Sequence, residues 1–419
     1  MKTSEIYTCT IRVVGYCFIL AIYDYSSSAY ANKKNIPVDD AIEIQKEVDN
    51  SIITGKEIKL LPKVYNILSP IKITKRVSII GSGFSEDPDF RNGTLFEVKT
   101  GMKSAIQISS PQARGTLLTS ISWHEEQPNP SEKNWYPQKY APLITIKDTL
   151  GAVYIENMYM PGVYSGIEAY NAGRIYINKL WGQWFDYAIM IDKSYDIDRI
   201  SNIHHWTYWS SDKRVISYQQ KNTNLIRLKR VDGPELGSGI FGYGLNSLIS
   251  LEESDKDASN HEGGATTKLQ IPYLTCDFTR HCLQSLGKNT TIEIGYIDEQ
   301  GQDAGNVLPL PGSSVIYIGP QSSVNGMISG INAEFIDQSI IETDNNFNNN
   351  YLSIGSIHAD WQYSQSQVFM ILHGKTTDFS VQLSLPPHFT NIGERKKFWP
   401  NDGKSKVFMP ISHEISREK

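Results

Sequence analysis

The chain has 419 residues, enough to bury a large core in one elongated domain or in two or three ordinary ones. Its 40 Lys and Arg against 45 Asp and Glu give a formal net charge of −5, a poor match to a nucleic-acid binder, which carries a basic stripe. Composition is globular, with 40% hydrophobic residues, but 23 Tyr and 8 Trp stand out. Rigid aromatic faces suit the flat C–H faces of sugars, although most rings in any protein are core.

Lys2 and Arg12 flank an apolar run, "VVGYCFILAIY" (13–23), too short to span a bilayer and followed by "AYA" (29–31). This predicts a signal peptide over 1–31, and secretion to an extracellular or periplasmic site. No other segment is long and apolar enough to be an integral membrane span. Cys9 and Cys17 would leave with the leader. Cys276 and Cys282, in "CDFTRHC", remain as a disulfide permitted by export or as two buried thiols, and their spacing is not that of a zinc finger.

The stretch "VDDAIEIQKEVDNSIITG" (38–55) predicts a helix capped by Asp39 or Asp40, with Ile42, Val48 and Ile52 on one side and Gly55 as its stop. Helical periodicity then disappears for more than three hundred residues, replaced by short alternating apolar runs between turn residues. These runs recur. "ITI" at 144, "IEA" at 167 and "IMI" at 189 are 23 and 22 residues apart, and "LIRL" at 225 and "LISL" at 248 are 23 apart. "VYIEN" (153–157), "IYINK" (175–179) and "RISN" (199–202) fall between members of the first set. "INAEF" (331–335) and "IHADW" (357–361) match in residue type throughout.

A repeat of about 22–25 residues holding short strands and no helix is the unit of a right-handed parallel β-helix. The expected architecture is all-β: a capping helix and first strands over 32–75, about twelve rungs over 76–385, and a C-terminal cap or tail over 386–419. The helix would cover strand edges that otherwise invite aggregation.

The order of helix, "LPKVYNI" (61–67), "PIKI" (70–73), "SIIGSGF" (78–84) and then rungs resembles the pectate-lyase-like β-helix superfamily. That superfamily includes relatives of glycoside hydrolase family 28 and phage tailspike depolymerases. The resemblance covers about residues 36–110 and is architectural beyond them. It implies a secreted or surface-exposed protein acting on an acidic or complex polysaccharide lying in a groove along the stack. The polygalacturonase set of Asn-Thr-Asp, paired Asp, Gly-His-Gly and Arg-Ile-Lys does not occur in order: Asp39-Asp40 lies in the capping helix, and "RLK" (227–229) stands alone. No catalytic residue carries over, and a fold does not fix a function.

Candidate residues therefore come from the columns. The loops after "YIEN", "YINK" and "ISN" carry Tyr164, then Trp181, Trp184 and Tyr187, then Trp206, Tyr208 and Trp209, which reads as an aromatic wall for stacking sugars or as a satellite core under a loop. Beside it lie Asp186, Asp192, Asp196 and Asp198, with His204 and His205, as candidates for glycoside hydrolysis or for proton abstraction in a lyase. Only one of two neighbouring histidines in a strand points outward. A second column pairs Glu334 with Asp360 and places His358 opposite Asn332. The excursion 120–142, with Trp123, His124, Glu125 and Trp135, would wall a groove. Clustered carboxylates would also suit calcium, but no EF-hand or repeat-type spacing is present, so no metal or cofactor is expected. The expectation is a monomeric or homotrimeric polysaccharide-cleaving enzyme, a hydrolase or a lyase. The competing classes are a non-catalytic carbohydrate-binding or adhesion module and a sugar epimerase.

Overall fold

The computed structural model describes residues 37–83, 93–254, 266–300, 310–334, 339–344 and 350–360, and short strands at 368–372, 379–383, 388–389 and 406–408. The expected leader, 1–31, lies outside them, as do most residues of the C-terminal segment.

The N-terminal helix spans Ala41–Thr54, and Gly55 ends it at φ 71°, a left-handed conformation open to glycine at little cost. Its buried face is Ala41, Ile44, Val48 and Ser51, while Ile42 is exposed, so the apolar stripe is turned from the expected Ile42, Val48 and Ile52 set. The Gln45 amide explains how the helix closes this end. Its oxygen accepts from the Lys72 N–H at 2.7 Å and its nitrogen donates to the Lys72 carbonyl at 3.1 Å, pairing a strand edge that has no earlier rung. Asp40 does not cap its own helix but accepts from the Asn66 N–H (2.8 Å), whereas Asp39 accepts from Ala41, Leu68 and Ser69.

The rest of the described chain winds into a right-handed parallel β-helix. The repeats seen in the sequence are in register: Ile144 pairs with Ile167, Ile167 with Ile189, Ile189 with Ile226 and Ile226 with Ile249. The same inward column starts at Ile71 and Ile106 and continues through Leu283, Ile316 and Ile341. All of these side chains are at most 1% exposed. β-Branched side chains fit a pleated surface packed on both flanks, and each buried isoleucine contributes about 1.5–3 kcal/mol.

Tight turns separate the faces of each rung. Asn157, Lys179 and Asn202 occupy one such corner on successive rungs, at φ 54°, 58° and 54°. The Asn178 side chain accepts from Ser201 and Asn202, so the corner is tied rung to rung. Parallel pairing starts at Ile58 and reaches Lys406–Phe408.

One element was not legible as a repeat. Lys213–Asn222 is a helix, capped by the Asp212 carboxylate on the Arg214 N–H, and it buries Val215, Ile216, Gln219 and Gln220. Half of that buried face is glutamine, which erases the apolar periodicity a sequence reading relies on.

Candidate functional site

The outward face after the corner carries one unbroken column. Val64, Leu95, Ser122, Tyr159, Trp181 and His204 are in register, followed by Phe241, Thr275, Asp298, Asn332 and His358. The register pairs Trp181 with His204, so the loops align 23 residues apart.

The middle of this column is aromatic. His204 stacks on Phe241 with centroids 4.8 Å apart, lies 5.8 Å from Trp181, and its Nδ1 is 2.7 Å from the Tyr208 hydroxyl. Trp206 packs at 4.6 Å from Tyr243 and remains exposed. Burial lowers the pKa of His204, so its imidazole is neutral at physiological pH and offers a nitrogen rather than a charge. The loop bearing Trp206 and Tyr208 is anchored by Gln183, which is fully buried. Its oxygen accepts the N–H groups of Trp209 and Ser210, both at 2.8 Å, and its nitrogen donates to the Ser210 carbonyl at 2.9 Å.

Further along, the column becomes acidic. Asp298 Oδ2 accepts from the Tyr273 hydroxyl (3.0 Å) and Oδ1 from Asn332 Nδ2 (2.8 Å). Asn332 Oδ1 is 2.8 Å from His358 Nδ1. On the same face, two residues on, Tyr243, Asp277, Gln300 and Glu334 form a parallel column. Burial and the neighbouring Asp298 push Asp277 up to about 6. The expected register of Glu334 with Asp360 and of Asn332 with His358 is therefore present, on the rungs next to Asp277 and Asp298. Neither Asp277 nor Asp298 was singled out from the sequence.

The structure divides the expected aromatic wall. Trp181, Trp206 and Tyr208 lie on the strip. Trp184 is fully buried, 5.7 Å from His205, and presents no face to a ligand. Tyr164 joins Trp135, Phe185 and Val215 in a separate cluster against which Trp209 packs. Gly162 makes room for Trp209, since a Cβ there would sit 2.6 Å from its ring. Tyr187 is buried and donates to Glu168 at 2.8 Å.

The expected acidic centre is likewise dispersed. Asp186 is half-buried, its pKa raised by burial against the opposing charge of Arg227 at 3.4 Å, and Arg227 also grips both oxygens of Glu252. Asp192 is buried, and Asp196 is half-buried and bound to Arg174 at 2.5 Å. Asp198 is buried with one oxygen on the Ile175 N–H, and burial pushes it up to about 7. His205 is buried and neutral, with a pKa of about 3, so of the histidine pair only His204 faces outward, as alternation requires. In the excursion, Trp123 is fully buried against Phe96, His124 binds Glu97 at 2.9 Å, and Glu125 accepts the Tyr164 N–H, with burial pushing it up to about 8.

Cys276 and Cys282 form a disulfide, Cα atoms 5.7 Å apart. Glu299 is fully buried against it, and burial holds its carboxyl well above the usual range, so it meets the sulfur as a protonated donor. These three residues are the one cluster of metal-type ligands among the described residues, and the bonded sulfurs offer no thiolate. No described helix is long and apolar enough to cross a membrane.

No protein-family model matches the chain, and no curated protein matches it. Solved structures do. The tailspike protein of E. coli bacteriophage HK620 superposes with a TM-score of 0.53 at 11% identity, over 88% of this chain and 65% of that one. A tailspike structure from the same phage in complex with a pentasaccharide gives 0.53 at 10% identity over the same shares. The catalytic domain of a GH87 alpha-1,3-glucanase in complex with nigerose gives 0.51 at 12% identity, over 88% of this chain and 66% of that one. The chain thus spans about two thirds of the length of these structures, and the likeness is one of fold: a parallel β-helix of the kind that carries the tailspike and the glucanase.

Proposed function

We propose that the protein binds an extracellular, acidic polysaccharide along the strip from Trp181 to His358 and cleaves it by glycoside hydrolysis. Asp277 serves as the proton donor and Asp298 as the base. The observation that carries this reading is the continuity of the column. Stacking rings at Trp181, His204, Phe241 and Trp206 pass along the same face into Asp277 and Asp298 on adjacent strands. Hydrolysis needs two carboxyl groups in different protonation states, and Asp277, with a pKa of about 6, supplies the one that holds its proton. Asp277 pairs with Gln300, so it stands diagonally across adjacent strands from Asp298, roughly 7–8 Å away, a separation that suits an inverting hydrolysis with Asp298 as the base. Neighbours of similar fold that hold a pentasaccharide and nigerose support the substrate class, and a disulfide at Cys276–Cys282 supports an oxidising location outside the cytoplasm.

The test is incubation with a panel of bacterial and plant polysaccharides, following reducing ends together with the ultraviolet absorbance of unsaturated products. New reducing ends without unsaturation, lost in Asp277→Asn and Asp298→Asn, are expected. Unsaturated products would replace the hydrolase by a lyase. Retention on polymer with no product would leave a binding module.

A further inference from the structure

We propose a second carbohydrate site, on the face before the Asn157 corner, that takes a carboxylate-bearing sugar unit. It rests on the polysaccharide reading above only for the choice of ligand class, and it is separate from the strip.

The site is a shallow cavity of about 510 Å³ lined by Arg76, Arg114, Arg174 and Tyr154. Of four successive turns of the stack that line it, the first, second and fourth each contribute an arginine and the third contributes Tyr154. Arg174 is engaged through Nε by Asp196 at 2.5 Å. The guanidinium groups of Arg76 and Arg114 make no ion pair or hydrogen bond with another described residue. Holding like charges together costs energy unless an anion joins them, so the cluster has the electrostatics of a receptor. Backbone shape favours it as well. Gly115 and Gly151 lie where a Cβ would come within 3.1 Å of Arg76 and 2.9 Å of Arg114, so both arginine stems lie over glycine.

The aromatic wall of the cavity is also built. Tyr154 stacks on Tyr176, centroids 5.0 Å apart and 11° from parallel, and the Arg199 guanidinium lies 5.4 Å above Tyr176 and bonds its hydroxyl at 2.9 Å. That stack fixes Tyr154 at its free end, where the neighbouring rung presents only Leu117 and the ring borders the cavity. An arginine fork matches a carboxylate with two parallel hydrogen bonds, and a fixed tyrosine face matches the C–H face of a pyranose. Together they select an anionic sugar over a neutral one.

The experiment measures binding of short oligomers of galacturonate, glucuronate, mannuronate and sialic acid by calorimetry. Neutral dextran oligomers and a sulfated heparin fragment serve as comparisons. At least one carboxylated oligomer should bind in a salt-sensitive way. Arg114→Ala and Arg76→Ala should each weaken it by about ten- to a hundredfold, with Arg114→Lys intermediate because it keeps charge but loses the fork. The measurement is repeated in Trp181→Ala/Trp206→Ala, where retained binding places the ligand away from the strip. All three arginines are exposed, so unchanged melting temperatures should accompany these losses. The proposal is overturned if no carboxylated oligomer binds, if binding is indifferent to Arg76 and Arg114, or if the sulfated fragment alone is held. Failure of the strip reading would look different: binding at the arginines would persist while no polysaccharide is cleaved.

Discussion

Asp298 lies on the strand next to Asp277, on the same outward face, and its charge adds to burial in lifting Asp277 to about 6. The relationship gives a signed expectation. A group with a folded pKa above its unfolded value contributes stability that is complete below the unfolded pKa and lost as pH rises through the folded one. For Asp277 that window runs from 3.8 to about 6. Asp277→Asn should therefore melt like wild type near the acid end and above it at pH 8, while activity falls to background. In the wild type, hydrolysis should decline as pH rises past the Asp277 pKa. Thermal melts and rates across the pH range check both, and a variant equally stable at both ends with full turnover would remove Asp277 from the site.

Two further buried carboxyls predict a broader pH dependence. Burial pushes Glu125 up to about 8, against one backbone N–H that favours the charge, and Asp198 up to about 7, against the Ile175 N–H and the Ser194 side chain. By the same sign, wild-type stability should fall between pH 5 and 8, by at most about 1.4 kcal/mol per pH unit for each group. Glu125→Gln keeps an acceptor for the Tyr164 N–H and Asp198→Asn one for Ile175, so both should flatten the slope without loss at pH 5. A steeper slope in the variants would contradict neutral carboxyls at these positions.

The stack was legible because its signal is periodic. Ile144, Ile167, Ile189 and Ile226 announce their register by spacing alone, since each inward residue repeats after one rung. The site was only partly legible, for two physical reasons. Register shifts on either side of Trp184 interrupt the alternation, and a slip of one residue moves a side chain from the solvent face to the core. Trp184 thus reads as a wall residue and packs as core. Then the rungs lengthen: from His204 to Phe241 is 37 residues and from Phe241 to Thr275 is 34, so the period that would have carried the column to Asp298 is lost in insertions. Glu334 and Asp360 escaped this because their rungs follow directly on one another.

The division of the tryptophans predicts opposite phenotypes. Trp181→Ala and Trp206→Ala should weaken polysaccharide binding by about 1–3 kcal/mol and leave the melting temperature nearly unchanged. Trp184→Ala empties a fully buried site and should cost about 3–5 kcal/mol of stability. Chemical denaturation and affinity electrophoresis separate the two effects. Binding lost at Trp184 with stability intact would mean that its ring is reached by ligand after all.

Gln183 offers the sharpest test that the strip is positioned rather than merely present. Its oxygen satisfies the Trp209 and Ser210 N–H groups, and its nitrogen satisfies the Ser210 carbonyl and, at 3.2 Å, Gln219 Oε1. Leucine fills the same space but leaves those backbone groups unpaired, at about 1–3 kcal/mol for each that stays buried. The loop relieves that cost by moving toward water, and Trp206 and Tyr208 move with it. Gln183→Leu should therefore expose the 206–212 segment to limited proteolysis and weaken binding by about tenfold, a cost of roughly 1.4 kcal/mol. Turnover at saturating substrate should change little, because Asp277 and Asp298 lie on later rungs. Gln183→Glu, kept protonated by burial, retains an oxygen for the two N–H groups and one O–H donor for the Ser210 carbonyl, so it should recover part of the binding. Protease resistance and affinity both unchanged in Gln183→Leu would mean that Tyr208 and His204 hold the loop without it.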